Sequence, residues 1–233
     1  MIHIFDVDNT IIKKTSAWYF LREALSKGVI RFSRIKGLPF DWLKYKLGKP
    51  NIDFIEEAVK PIAGIEKGVL EEIARSSFQK AMKGNIYTEA ARLINEAMER
   101  GEKVIFATSS FYTIIKPLES FFGVENSVAS ELEFSDNKTT GKIVGKSIFG
   151  DRKKIEVEAW LLKNGVSPRE ACFYSDSYTD LPLLEFCGKA VAVNPDRFLA
   201  REAKKRGWEI KRFAKTLGNS SFFQNSVSFE KSS

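Results

Sequence analysis

The sequence predicts an α/β fold: a Rossmann-like, doubly wound parallel sheet with a small helical domain inserted near its start. Three observations carry that prediction. From residue 88 onward, short apolar runs alternate with helical stretches, the pattern of βαβ units that build a parallel sheet covered on both faces. From 15 to 84 the periodicity is helical, with no convincing strand. The chain also opens on an apolar run that stops at two carboxylates, as a buried strand does at the ligand edge of an open sheet.

Taken in order, Met1 to Phe5 is short, apolar and β-branched or aromatic, with no room for a helix start, and reads as a buried strand. Asp6-Val7-Asp8-Asn9-Thr10 follows; side chains one residue apart at a strand end share a face, so Asp6 and Asp8 converge. The same residues could also form an acidic turn capping a helix. Thr15-Ser16 are N-cap candidates for a helix over 17–27, ended by Gly28. Residues 29–49 are basic and aromatic, broken by Gly37 and Pro39 into two short helices. Further helices are expected near 52–60 and over 66–83, and Gly84 closes the insert.

The second half predicts a helix over 88–100, a strand over 103–107 ended by Thr108-Ser109-Ser110, and a helix over 111–122 stopped by Gly123. Strands over 128–134 and 142–144 flank a turn at 135–140. A helix over 151–164, a strand over 171–174, a short helix over 181–186, a strand over 190–193, a helix over 197–206 and a short strand over 208–210 complete the sheet. The Ser/Asn-rich stretch from Gly218 reads as a disordered tail. The expected division is a core of 1–14 and 85–217, a cap of 15–84 and a tail of 218–233.

At 233 residues and 43% hydrophobic the chain can bury a large core, and 29% charged residues leave a solvated surface. The net charge of +7 suits an anionic ligand. Cys172 and Cys187 make neither a disulfide framework nor a zinc site; two buried thiols fit a reducing cytoplasm. The N-terminus lacks the basic region of a signal peptide, and no run of about 18 apolar residues exists to cross a bilayer. Nucleic acid finds little support, since no helix-turn-helix or clustered base-stacking aromatics accompany the charge.

Three strand ends carry polar groups: Asp6/Asp8, Thr108/Ser109/Ser110 and Asp176/Asp180. The helix start Arg152-Lys153-Lys154 lies between the second and third. In a parallel sheet these share one edge. Four carboxylates provide oxygen ligands for Mg2+, and hydroxyls, helix-start amides and a lysine provide partners for phosphate oxygens. Either Lys153 or Lys154 could serve; Lys153 lies one turn before Val157 on the apolar stripe of its helix. His3, with no second histidine, is expected to be structural. Trp18, Tyr19, Phe20 and Trp42 are expected in the core of the insert, and Asp136 and Asp151 as turn and cap residues.

This set resembles the haloacid dehalogenase (HAD) superfamily of phosphohydrolases. The shared motifs are Asp6-Val7-Asp8-Asn9-Thr10, a strand ending in Thr108, a helix-borne Lys, and the acidic pair in Asp176-Ser177-Tyr178-Thr179-Asp180. An insert between the first and second motifs is similar to that of the phosphoserine phosphatase subfamily. The run 174–184, with Val193-Asn194-Pro195-Asp196 and Gly207-Trp208, resembles its IB branch. Gly150-Asp151-Arg152-Lys153 matches the family's Gly-x-x-Lys, which selects Lys153.

The resemblance implies a phosphatase of small phosphomonoesters. Asp6 would be the nucleophile, giving an aspartyl-phosphate, and Asp8 the general acid and base. Mg2+ would be held by Asp6, the Asp8 carbonyl and Asp176, with Asp180 on its shell. Thr108 and the Ser109 amide, with Lys153, would hold the phosphoryl group, and Thr10 would support the loop. The family's phosphoserine enzymes place a Glu soon after the first motif; here Ile11 to Ser16 contains no acid, and Glu23 lies further along a helix. Two alternatives follow. The basic-aromatic segment 29–49 would suit a phospholipid-like substrate, or a phosphotransferase, at an anionic membrane surface. A non-catalytic phosphate-binding module is the other, which the presence of both Asp6 and Asp8 disfavours.

Overall fold

The computed structural model describes residues 1–35 and 53–219. A six-stranded sheet in the order β3-β2-β1-β6-β7-β8, parallel throughout, forms its centre. The strands are β1 (Ile2–Phe5), β2 (Lys103–Phe111), β3 (Ser127–Ser130), β6 (Ala171–Ser175), β7 (Lys189–Val193) and β8 (Glu209–Lys211). A separate hairpin pairs β4 (Leu132–Ser135) with β5 (Lys138–Ile143). The helices are α1 (Ser16–Ser26), α2 (Asp53–Val59), α3 (Lys67–Ser77), α4 (Thr88–Glu99), α5 (Tyr112–Phe122), α6 (Asp151–Lys163), α7 (Leu181–Phe186) and α8 (Arg197–Arg206). Among the described residues no helix is long and apolar enough to cross a membrane.

The strand residues alternate between two apolar layers. Phe5, Phe106 and Tyr174 face one, packed by α1, α3, α4 and α5; Ile4, Ile105 and Phe173 face the other, packed by α6, α7 and α8. A strand apolar at every position is the expected signature of a sheet covered on both sides. Phe5 and Tyr174 stack at 4.2 Å, and each such buried side chain contributes about 2 kcal/mol. His3 is buried in this layer, with Nδ1 3.1 Å from the Tyr174 hydroxyl and Nε2 3.1 Å from Glu102, a structural setting in which burial lowers its pKa. Cys172 and Cys187 are buried and free.

The chain leaves and re-enters the sheet region between β1 and β2 through two segments that lie side by side: Lys13 N–H donates to the Asn85 carbonyl at 2.9 Å and Tyr87 N–H to the Ile11 carbonyl at 2.8 Å. The apolar cluster runs unbroken from Phe5 and Phe106 into Leu70, Ile73, Phe78 and Met82 of the insert.

Several expectations need correction. The strand expected to end before Thr108 continues to Phe111. Ala107 pairs with Val128 and Phe111 with Ser130, so β2 spends four residues where β3 spends two, and Thr108-Ser109-Ser110 form a bulge within it. The single strand expected over 128–134 is two strands in different sheets, parted at Glu131. The hairpin turn is tighter than expected: Asp136 and Asn137 both adopt positive φ (48° and 62°), which lets β5 begin at Lys138 rather than 142. The helix expected over 66–83 gives way at Phe78 to a π turn, Phe78–Met82. Trp18 is 40% exposed, because it points away from the face of α1 that carries Ser16, Tyr19, Phe20 and Glu23. The insert is also braced by the hairpin: Gly64 N–H donates to the Thr139 carbonyl at 2.7 Å and Thr139 N–H to Ile65 at 2.9 Å. Trp42, most of segment 29–49 and the tail beyond Asn219 lie outside the described residues.

Candidate active site

Every group singled out at a strand end lies on the carboxyl edge of the central strands. Chain order reverses about β1, which sends β2 to one side and β6 to the other, and that reversal opens a crevice at their ends. Phe5 pairs with both Phe106 and Tyr174, so Asp6 emerges level with Ala107 and Ser175; its N–H donates to the Tyr174 carbonyl at 2.9 Å. The chain then turns sharply, with Asn9 at φ 58° and Lys14 at φ 70° and the Ile11 and Ile12 amides both on the Val7 carbonyl. Asn is among the residues that tolerate this backbone region.

Lys153 sits at the centre. It is 2% exposed, and its Nζ donates to Asp6 Oδ1 at 2.9 Å and to Asp180 Oδ2 at 2.9 Å, with Asp180 Oδ1 at 2.8 Å. Lys154 instead pairs with Glu158 on the outer face of α6. The register explains the choice: Lys153 shares the buried face with Val157 and Leu161. Asp180 is held further by the Ser175 hydroxyl at 2.7 Å, and Ser175 Oγ in turn accepts the Ser177 amide at 3.1 Å. Thr108 Oγ1 accepts the Ser110 amide at 3.1 Å, which leaves its hydroxyl proton to donate outward. Ser109 lies in the bulge between them. Asp8 Oδ1 accepts the Ser16 amide at 2.8 Å.

The electrostatics of the cluster are unbalanced. Burial raises the Asp6 carboxyl to about 7; Lys153 opposes this, and Asp180 and Asp8 add to it. Burial also raises Asp8, against hydrogen bonds from Ser16. Asp176 is raised well above the usual carboxylate range, by burial first and then by the charges of Asp6 and Asp180. For Lys153 burial works against the ammonium, but Asp180 and Asp6 outweigh it and the pKa is raised. One lysine therefore faces four carboxyl groups, and the site is short of positive charge.

That shortage is what a hard divalent cation fits. Asp176 makes no side-chain hydrogen bond or ion pair among the described residues, and the donors are all oxygen. Among the described residues no group of three or more His, Cys, Asp or Glu side chains is placed to hold a metal ion by itself. Mg2+ does not need one, since it is commonly bound by one or two carboxylates with waters and substrate phosphate.

Ser16, Ser110 and Ser175 also touch this network. In the sequence Ser16 reads as a cap, Ser110 as one of the hydroxyls open to phosphate oxygens, and Ser175 as a strand end. The hydroxyl-rich ends of both strands are the signal for the last two. Thr10, expected to support the loop, is buried with its hydroxyl unpartnered. Glu23 is turned away into the insert, where Ser76 Oγ at 2.6 Å and Lys80 Nζ at 2.7 Å bind it.

The family model for haloacid dehalogenase-like hydrolases matches residues 4–185. A histidinol-phosphatase of Neisseria meningitidis serogroup C is 30% identical over 216 residues, which span 90% of this chain and 97% of that protein. A phosphoserine phosphatase of Mycobacterium tuberculosis is 28% identical over 214 residues, 90% of this chain and 70% of that one. The crystal structure of a Bordetella pertussis protein of unknown function superposes with a TM-score of 0.82 at 23% identity, across 90% of this chain and 97% of that one.

Proposed function

The chain belongs to the haloacid dehalogenase-like hydrolases, a phosphatase among relatives that are phosphatases, and from that membership we propose a Mg2+-dependent phosphomonoesterase that works through an aspartyl-phosphate on Asp6. The observation that carries the reading is the buried Lys153, bonded at once to Asp6 and Asp180 at the carboxyl edge of the sheet. We read 1–14 and 85–217 as the catalytic core and 15–84 as the cap that covers it.

Asp6 attacks phosphorus through Oδ2, while Lys153 holds Oδ1 and fixes the rotation of the carboxylate. The ester P–O bond breaks as the new bond forms, and Asp8 protonates the departing alkoxide. Asp8, now ionised, takes a proton from water; the water oxygen attacks phosphorus, inorganic phosphate leaves and the Asp6 carboxylate is restored. The Thr108 hydroxyl and the Ser109 amide bind the non-bridging oxygens through both steps. Asp6, Asp176 and the Asp8 backbone carbonyl would hold Mg2+, with Asp180 orienting its surroundings. Once bound, the ion neutralises charge on the phosphoryl group and so stabilises the transition state. The substrate is a small phosphomonoester without a required ammonium contact to Glu23, since Ser76 and Lys80 already occupy that carboxylate.

The test is phosphate release from phosphoserine, histidinol phosphate, glycerol phosphate and p-nitrophenyl phosphate, with Mg2+ and with a chelator. Turnover of at least one ester that ceases on chelation is the expected result. Turnover indifferent to the chelator would remove the metal from the reading.

The charge shortage also predicts how Mg2+ affects stability. Asp6 is raised from about 3.8 to about 7 in the folded protein, so its contribution to stability is full below about pH 4 and is lost as pH rises through about 7. Mg2+ relieves that loss only where the carboxylate is ionised; at pH 5 it must first displace a proton. The Mg2+-induced rise in Tm is therefore expected to be larger at pH 8 than at pH 5. Thermal scans with and without Mg2+ check this, and an equal rise at both values would contradict it.

A further inference from the structure

We infer that the buried hydroxyl pair Ser16–Ser110 is a positioning device for Asp8, which sets the geometry of proton delivery to the leaving alcohol. The inference rests on the reading of Asp8 as the general acid.

Three hydrogen bonds carry it. Ser16 N–H donates to Asp8 Oδ1 at 2.8 Å, the Ser16 hydroxyl donates to Ser110 Oγ at 2.7 Å, and Ser110 N–H donates to Thr108 Oγ1 at 3.1 Å. They form one line from the acid to the residue that binds a phosphate oxygen. Ser16 is fully buried and Ser110 nearly so. Ser16 is the first residue of α1, and an amide there has no carbonyl partner within its own helix, so it is free to bind Asp8. The positive end of the helix favours the ionised carboxylate that proton delivery leaves behind.

Both the amide and the side chain of Ser16 favour the ionised Asp8, and the amide belongs to the backbone, so something must hold that backbone still. Thr15 caps α1, but its side chain accepts the Trp18 amide and its carbonyl the Trp18 and Tyr19 amides, all within the same turn. A link from the start of α1 across to β2 is the Ser16 hydroxyl on Ser110, 94 positions away in sequence. Ser110 can reach it because Thr108-Ser109-Ser110 bulge from β2. The pair therefore fixes where Asp8 stands relative to Thr108, and so to the scissile bond. With Oδ1 held by the amide, the proton passes from Oδ2 to the departing oxygen as the Asp6–phosphorus bond forms and the ester bond breaks. The products of that step are the aspartyl-phosphate and the neutral alcohol.

Leaving-group dependence separates this role from a structural one. An alkyl ester needs its oxygen protonated; p-nitrophenolate leaves without help. We would measure kcat/KM, which reports the phosphorylation step, for p-nitrophenyl phosphate and for the best alkyl ester. The proteins are wild type, Ser16→Ala, Ser16→Thr, Ser110→Ala, the double alanine variant and Asp8→Asn. Ser16→Ala and Ser110→Ala are each expected to lose about tenfold on the alkyl ester and less than about threefold on the aryl ester. Ser16→Thr keeps the hydroxyl and should restore the alkyl reaction. The double variant should be no worse than either single one, as for two ends of one contact. Equal losses on both esters in the serine variants, or no loss, would overturn the inference if Asp8→Asn still discriminates between the esters. If Asp8→Asn fails to discriminate, the role of Asp8 itself is wrong and the inference falls with it.

Discussion

With asparagine at position 6, phosphate release is expected to fall on the order of 10³-fold or more, and the folded protein to be at least as stable as the parent. The loss follows from chemistry: a neutral amide cannot attack phosphorus, and removal of a nucleophile costs rate factors of this size. The stability follows from the surroundings of Asp6. It is buried, and Asp180 and Asp8 add to the burial that raises its carboxyl to about 7, so above that pH the folded state carries the cost of an ionised group. Asparagine keeps the shape and an oxygen for Lys153 and removes that cost. The Tm of Asp6→Asn should therefore equal or exceed that of the parent, most visibly at pH 8. Phosphate assays beside thermal scans read both. Mg2+-dependent turnover surviving in the variant would refute the nucleophile assignment, whatever the Tm.

Lys153→Met is expected to show the opposite signature, with activity and stability lost together. Methionine matches the length and volume of the side chain and brings no charge. It leaves Asp6 and Asp180 facing each other inside the protein, and removing one partner from a buried ion pair costs about 3–5 kcal/mol. The urea midpoint should fall accordingly. Adding Asp6→Asn to Lys153→Met should recover part of the loss, because it removes one of the stranded carboxylates; groups in one network do not add independently. An unchanged midpoint in Lys153→Met would mean that the carboxylates find other compensation and that the ion pair is no keystone of this edge.

The parts of this site that can be read from sequence are those set by local periodicity. Asp6 and Asp8 follow an apolar run, so a strand end placed them. Register favours Lys153, one turn before Val157, and leaves Lys154 open; the resemblance of Gly150-Asp151-Arg152-Lys153 to the family's Gly-x-x-Lys selects between them. The parts that could not be read depend on partners far along the chain. Ser16 meets Ser110 only because β2 bulges, and the bulge is visible only once β2 is laid against β3. Glu23 looks like a free acid until α3 and its π turn bring Ser76 and Lys80 to it. The stretch 128–134 is uniformly strand-like, and nothing local marks Glu131 as the point where the chain leaves one sheet for another. Trp18 reads as core by composition, and only the buried face of α1, set by Ser16, Tyr19 and Glu23, turns it outward.

The unbroken apolar cluster that links the insert to the sheet has an evolutionary consequence. A lid joined only by a hinge can be exchanged or redrawn while the catalytic layer stays as it is. Here Phe78 and Met82 share a cluster with Phe106, so a substitution that reshapes the inner wall of the insert also disturbs the packing beneath the strands that carry Asp6 and Thr108. Tolerated changes in this lineage should therefore arrive as matched sets, one among residues 70–82 and one in the layer beneath the strands. A single exchange in the insert would be paid for in folding before it could be tested for activity.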